Sequence, residues 1–294
     1  MLFWALTFVV FKIALESYKP ITIILLRLII SVIFLFIIAK VLRKLQPLKK
    51  KDYKYIIIMA LFEPFLYFLG ESFGLTYVSS TMGAVIISTI PLIMPIGAYF
   101  LYRDKLSILN WLGLIVSFGG VLIVVLSGAM EIMARLKGVL LMFLATFSAV
   151  GYGLTVKKLA HNYNGFTITC YQNIVGIICF IPLFLFLDLK TFLHTIPSQS
   201  SVFSIIYLGI FGSSLAFVLF TMAVRDIGPS KANVFANLIP VFTAVFSFFL
   251  LREPMPALKI LGIVVVLTGL LLSQVKSVKL KKQKLPAANY QFPA

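Results

Sequence analysis

The chain is poor in the residues that most catalytic and metal sites need. It has two cysteines, two histidines and nine acidic residues in 294. Cys170 and Cys179 share one apolar run, and nine helical residues set them about 13.5 Å apart, too far for a disulfide. His161 and His194 both fall near run ends and form no ligand cluster, so no metal and no cofactor are expected. Charged residues make up 12% of the chain, against about a quarter in soluble domains. No His-Glu-x-x-His, Gly-x-Ser-x-Gly or Walker-type lysine loop occurs. No polar stretch is long enough for a catalytic domain. An enzyme is therefore not expected, nor is nucleotide-driven pumping by this chain alone. The start lacks the charged segment and cleavage site of a signal peptide.

What is abundant is apolar sequence, 61% of the chain. It falls into ten runs, approximately 1–17, 21–42, 54–74, 80–102, 108–128, 138–156, 166–188, 202–223, 230–251 and 257–275. Most approach the roughly 20 residues a helix needs to cross the hydrocarbon of a bilayer. They do not alternate in the way barrel strands do, so helices are expected. A soluble core could bury one or two such runs but not nearly all of them. The first run is short, which leaves open whether residue 1 is the natural start.

The net charge of +17 does not point to nucleic acid, because no basic helix or stacking module stands outside the runs. The basic residues cluster instead at Lys40–Lys54 and Lys276–Lys284. The stretches after runs 2, 4, 6 and 8, together with the tail, carry most of the Lys and Arg. The opposite side has only Lys19, Arg135, Lys137, Lys190, Arg252 and Lys259. Cytoplasmic loops hold the excess of positive charge, so both termini are expected in the cytoplasm of a cell that carries this multi-pass protein in its plasma membrane.

The sequence also repeats. One shift lays Pro91 on Pro240, Arg103 on Arg252, Asp104 on Glu253, Gly113 on Gly262 and Gly120 on Gly269; slightly offset, Lys12 falls on Lys157 and Arg27 on Gln172. Each half then holds five spans. An odd number forces the second half to enter the membrane from the other side, which makes the halves inverted repeats. The expected fold is all-α, with ten transmembrane helices in two inverted five-helix repeats (1–128 and 138–275) around a central cavity, followed by a basic cytoplasmic tail (276–294).

Several motifs resemble a known family. Trp4–Lys12 followed by Pro20 and Arg27 is similar to the opening of an EamA-type domain of the drug/metabolite transporter superfamily. So is Glu71-Ser72-Phe73-Gly74-Leu75, followed by Tyr77 and a small-residue step into Pro91. The second half carries Gly228-Pro229-Ser230, Pro240 and Arg252-Glu253-Pro254. The resemblance implies that helices 1, 3, 4, 6, 8 and 9 line the cavity, with 5 and 10 peripheral. It also implies transport of amino acids, metabolites, nucleotide sugars or drugs. Arg103-Asp104 departs from the more usual Gly-Glu at that turn.

Glu63 is the sharpest signal among single residues, because a carboxylate in mid-membrane costs about 2.5–3.5 kcal/mol on insertion scales. Such a group should face the interior and find a partner or a proton; Lys12 and Arg27 are the candidate partners. Tyr67 and Glu71 follow at four-residue steps and share its helix face. Gly70 and Gly74 fit helix packing. Lys12 and Arg27 could each hold a substrate carboxylate or pair with Glu16 or Glu63; Arg27, close to a run end, could also snorkel, which favours a structural role for it. Asn233 and Asn237 lie four apart, as substrate contacts or helix glue. Trp4, Tyr99 and Tyr152 sit on expected lining helices. Pro91 and Pro240 occupy equivalent places, as hinges or static kinks.

The expected function is a secondary transporter or facilitator, exporting a small organic solute by alternating access. The solute would contact Glu63, Tyr67, Lys12, Trp4, Tyr152, Asn233 and Asn237, and Pro91 and Pro240 would act as hinges. Proton coupling through Glu63 is a separate expectation. The rivals are a membrane-embedded enzyme on a lipid-linked substrate and a non-transporting assembly or sensory protein. Monomer and homodimer stay open, because Gly113-x-x-x-Ser117 could pack within the chain or between chains.

Overall fold

A computed structural model describes the backbone of residues 1–102, 108–127, 132–228, 232–233 and 235–281, and the side chains of these except 98–102, 108, 110, 132–134 and 274–281. Arg103, Asp104, Lys105, Pro229, Ser230, Lys231 and the tail from 282 lie outside the described residues, as does the side chain of Tyr99.

The described residues form helices and turns, with no strand among them. In a chain this apolar, a helix satisfies every backbone polar group within its own segment, which is what lipid demands. Six described helical stretches are long and apolar enough to cross a membrane: Pro20–Val41, Lys50–Tyr77, Ser80–Gly97, Arg135–Ala160, Gly165–Leu187 and Gln199–Ile227. Four shorter apolar helices, Leu2–Ala14, Trp111–Leu126, Phe235–Leu251 and Ala257–Ser273, fall in the remaining runs.

Helices are numbered along the chain. They are α1 (Leu2–Ala14), α2 (Pro20–Val41), α3 (Tyr53–Ala60), α4 (Tyr67–Tyr77), α5 (Ser80–Ile87), α6 (Ile90–Tyr102) and α7 (Ile108–Leu126). There follow α8 (Ile132–Ala160), α9 (Gly165–Leu187), α10 (Leu189–His194), α11 (Gln199–Tyr207), α12 (Ala216–Ile227), α13 (Ile239–Leu251) and α14 (Ala257–Lys281). Pro20 begins α2, where its missing N–H costs nothing.

Four of the spans are interrupted, and the interruptions matter for the site. Between α3 and α4 the turn widens at Leu61–Leu66, and Glu63 leaves the helix with φ −139° and ψ 115°. Pro64 explains this, because the residue before a proline is pushed towards extended backbone. A second wide turn, Leu208–Leu215, separates α11 from α12. The Ser214 hydroxyl satisfies the Gly209 carbonyl there, at 2.7 Å.

The third break lies between α5 and α6. The Ser88 and Thr89 hydroxyls donate to the carbonyls of Val85 (2.7 Å) and Ile86 (2.6 Å). The fourth is a 3-10 turn, Phe235–Leu238, just before α13. Pro91 and Pro240 both fall in the first turn of the helix that follows a break. They therefore start helices and do not bend continuous ones, because a proline in a first turn leaves no intrahelical bond unmade.

Packing follows the small residues. α7 and α14 lie against each other along their lengths. A Cβ on Gly113 would stand 2.5 Å from the Gly269 carbonyl, and one on Gly269 would stand 2.6 Å from the Ser117 nitrogen. The Gly113/Ser117 stripe thus packs within the chain. Gly70 does the same for α4 on α8, where an added Cβ would meet the Leu141 carbonyl at 2.6 Å. α1 lies centrally, against α4, α5, α11 and α13, so its side chains reach whatever space the interrupted spans enclose.

Candidate functional site

An enclosed cavity opens where α1, α2, the α3–α4 break, α8, α12 and the start of the α13 span meet. Trp4, Arg27, Glu63, Tyr67, Glu71, Tyr152, Phe217, Phe220 and Asn233 contribute to its wall. Only about 60 Å³ of it is open to the centre of a water molecule. That is room for a few waters, well below the roughly 300–1,000 Å³ of a typical small-molecule site.

Its polar wall is a chain of three charged groups and a phenol. Arg27 is 2% exposed. Its Nε donates to Ser213 Oγ at 2.8 Å, its Nη1 stands 3.6 Å from Glu71 Oε2, and its guanidinium lies 4.0 Å over the Phe68 ring. The Tyr67 hydroxyl donates to the other Glu71 oxygen at 3.2 Å. Glu71 is thereby held from two sides. Glu63, 1% exposed, is not: its Oε1 has no hydrogen-bond partner among the described residues. A buried polar atom normally has a partner, and one without marks a place for a ligand, a proton or water.

The other wall is aromatic. The Trp4 ring packs against Phe217 (centroids 5.1 Å apart) and Phe220 (5.3 Å), and its indole N–H donates to the Gly212 carbonyl at 3.3 Å. Tyr152 meets Phe217 edge-on and stacks on Phe220. Such a box offers electron-rich faces to a cation or an apolar body.

Gly212 answers Glu63 in the repeat, and the structure explains why no side chain stands there. An added Cβ would lie 2.6 Å from Thr7 Cγ2 and 3.3 Å from Arg27 Nη2. The space that an acid of the second half would need is already filled from α1 and α2.

Of the residues read from sequence, Trp4, Glu63, Tyr67, Tyr152 and Asn233 come together on this cavity. Asn237 is buried one turn farther on, in the 3-10 segment and off the cavity wall. Lys12 is elsewhere. It lines a separate vestibule with Glu253 and Lys259 and makes no ion pair with Glu16 or Glu63. The cause is helical geometry: Lys12 lies about 12 Å along α1 from Trp4, at 1.5 Å per residue.

Arg27 does not snorkel to an interface; it closes the cavity and pairs with Glu71 rather than Glu16 or Glu63, and Glu63 has no ion pair among the described residues. Phe217 and Phe220 were not picked out, although their three-residue spacing on an expected lining helix was a usable signal.

Comparison with known proteins agrees with this architecture. Residues 1–126 and 136–274 match the profile of the EamA-like transporter family. The chain is similar to "Uncharacterized transporter YetK" of Bacillus subtilis (strain 168), at 25% identity over 89% of this chain and 79% of that one. It is also similar to an "Uncharacterized transporter" of Archaeoglobus fulgidus, at 28% identity over 91% of this chain and 93% of that one. A solved crystal structure shares the fold, with a TM-score of 0.72 at 14% identity and 95% of each chain covered.

Proposed function

The chain belongs to the EamA-like transporter family, and from that premise we propose that it exports a small organic solute across the plasma membrane by alternating access, as a secondary transporter or facilitator. Both termini lie in the cytoplasm in this reading, as the excess of Lys and Arg on one side supports. The two five-helix halves run in opposite directions.

One observation carries the choice of site. Glu63 keeps an unpartnered carboxyl oxygen inside an enclosed cavity whose facing wall is aromatic. Glu63 and Glu71 against Arg27 give the cavity one more acid than base. This favours a solute with an amine or another cationic group on an apolar body, such as an amino acid or a drug-like amine. The cavity in this conformation is too tight for such a solute. The interrupted spans supply the places where it can widen, because backbone freed from regular bonding is where half-helices can tilt. Pro91 and Pro240 mark two of them. When no solute is bound, a proton on Glu63 would remove the surplus charge, which couples the two ligands through one oxygen.

Transport in proteoliposomes with and without a pH gradient tests this. Glu63→Gln should abolish the response to the gradient and lower uptake at least tenfold. Gradient-driven uptake equal to that of the unaltered protein removes Glu63 from the coupling role. No flux of any amine or amino acid by the unaltered protein removes the solute class.

A further inference from the structure

The second cavity differs from the first in almost every respect. It is open, with a volume of about 810 Å³, within the range of small-molecule sites. It lies at the end of the molecule where α1, α4 and α13 finish and α5, α8 and α14 begin. Among the described residues its lining holds four cations, Lys12, Arg135, Arg252 and Lys259, and one acid, Glu253. The rest of the wall includes apolar side chains such as Met82, Val124, Leu251 and Met255.

The acid is already used. Lys259 Nζ donates to Glu253 Oε1, and the Thr81 N–H, in the first turn of α5, donates to Glu253 Oε2 at 3.4 Å. Arg135 is fixed to the wall by its bond to the Val125 carbonyl, at 2.8 Å. Lys12 is half-buried in the wall and forms no ion pair among the described residues. Among the described residues of this lining Glu253 is the one acid; it is ion-paired to Lys259 and reaches Lys12 only through space. A half-buried ammonium beside apolar wall is poorly hydrated. An incoming carboxylate therefore gains more from it than from a surface lysine.

We propose that this vestibule is a second binding site, distinct from the Glu63 cavity, for an organic anion: a carboxylate on an apolar body, with Lys12 as its anchor. The acid end would sit between Lys12 and the basic rim, and the apolar body would lie along the Met82–Leu251 wall. α1 joins the two sites, because Thr7 and Phe8 face the inner cavity and Lys12 faces the vestibule. An anion bound at Lys12 thus stands over one end of the inner cavity.

Benzoate and its neutral isostere benzyl alcohol are the probes, titrated by calorimetry into the full chain in neutral-lipid nanodiscs. Benzoate should bind, and benzyl alcohol should bind at least roughly tenfold more weakly, a difference of ~1.4 kcal/mol. Lys12→Met should weaken benzoate by a similar factor and leave benzyl alcohol unchanged. Lys12→Arg should keep benzoate binding within about threefold, which controls for folding. Glu63→Gln should leave benzoate binding as it is, so the result does not depend on what the inner cavity carries. Equal benzoate affinity in Lys12→Met and the unaltered protein overturns the proposal. So does equal binding of the two probes, and so does benzoate binding that Glu63→Gln abolishes. Anionic lipid competing with benzoate in phosphatidylglycerol nanodiscs, with no benzoate binding in neutral lipid, would assign the site to lipid and overturn the proposal too.

Discussion

In the inner cavity Arg27 pairs with Glu71, and Glu63 is left over; in the vestibule Lys259 pairs with Glu253, and Lys12 is left over. Each region holds one ion pair, and the balance of charge around it has opposite sign: two acids to one cation among the described residues of the inner lining, four cations to one acid among those of the vestibule. They also differ in exposure to water. Arg27 and Glu71 are sealed against Phe68 and Tyr67, whereas the vestibule is open and wide. Taking both charges out of water costs several kcal/mol per ion, and that cost is recovered only where geometry is good and the remaining donors are satisfied. The Lys259–Glu253 pair borders that open space, but its side chains are only 8% and 9% exposed, so it too is largely withdrawn from water.

The largest effect should follow from breaking the inner pair on one side. Arg27→Met leaves Glu71 buried beside Glu63 with no cation, and should lower unfolding stability in detergent by about 3–5 kcal/mol. Removing both ends, as Arg27→Met with Glu71→Gln, should recover most of that loss, because no uncompensated charge is left. Thermal unfolding of the two variants side by side checks this. A double variant no more stable than the single one would mean that Arg27 acts through Phe68 and Ser213, with the ion pair contributing little.

Glu63→Gln should go the other way for stability. The unaltered carboxyl has no hydrogen bond at Oε1, so replacing it by a neutral amide of the same shape removes a buried charge at the cost of its attraction to Arg27. Unfolding stability should hold or rise by about 1 kcal/mol, while uptake falls at least about tenfold, ~1.4 kcal/mol of transition-state stabilisation. This opposition is the signature of a group kept for function. If stability drops together with uptake, Glu63 is a structural acid whose partner is water.

Sequence alone reached the helices and most of the inner site for one physical reason: polar residues stand out against apolar runs, and each costs free energy that must be recovered somewhere. That contrast singled out Glu63, Tyr67 and Asn233. It could not say which cation meets which acid, because Arg27 and Glu71 come from different spans and their pairing is a tertiary fact. Arg27 misled for the further reason that closeness to a run end was taken as closeness to an interface, whereas it lies about two turns into α2 and faces Ser213. Phe217 and Phe220, apolar side chains in an apolar run, had no polar contrast, and only their three-residue spacing on an expected lining helix could have marked them. The broken helices were partly legible. Pro64 next to Glu63 carries the signal for an extended residue, but the serine and threonine that end α5 ahead of Pro91 look like any other small polar residues.

The smallest effect belongs to the vestibule pair, and pH reads it. Glu253 lies in the turn between α13 and α14, outside the spans. Burial pushes its carboxyl up, but bonds from Lys259, Ser79 and Thr81 and the Lys259 charge outweigh burial and hold it below the ordinary carboxylate range. A group whose folded-state value is depressed contributes stability that is fully present above the unfolded value, about 4.3. That contribution disappears as pH falls through the folded value. Between pH 6 and pH 3 the unaltered protein should therefore lose about 1 kcal/mol more stability than Glu253→Gln, in which the titrating group is absent. Above pH 6 the two should differ by a constant. A pH profile of Glu253→Gln parallel to the unaltered one down to pH 3 would show that Lys259 holds a carboxyl no better than water does, and the vestibule would then have no fixed pair for Lys12 to exceed.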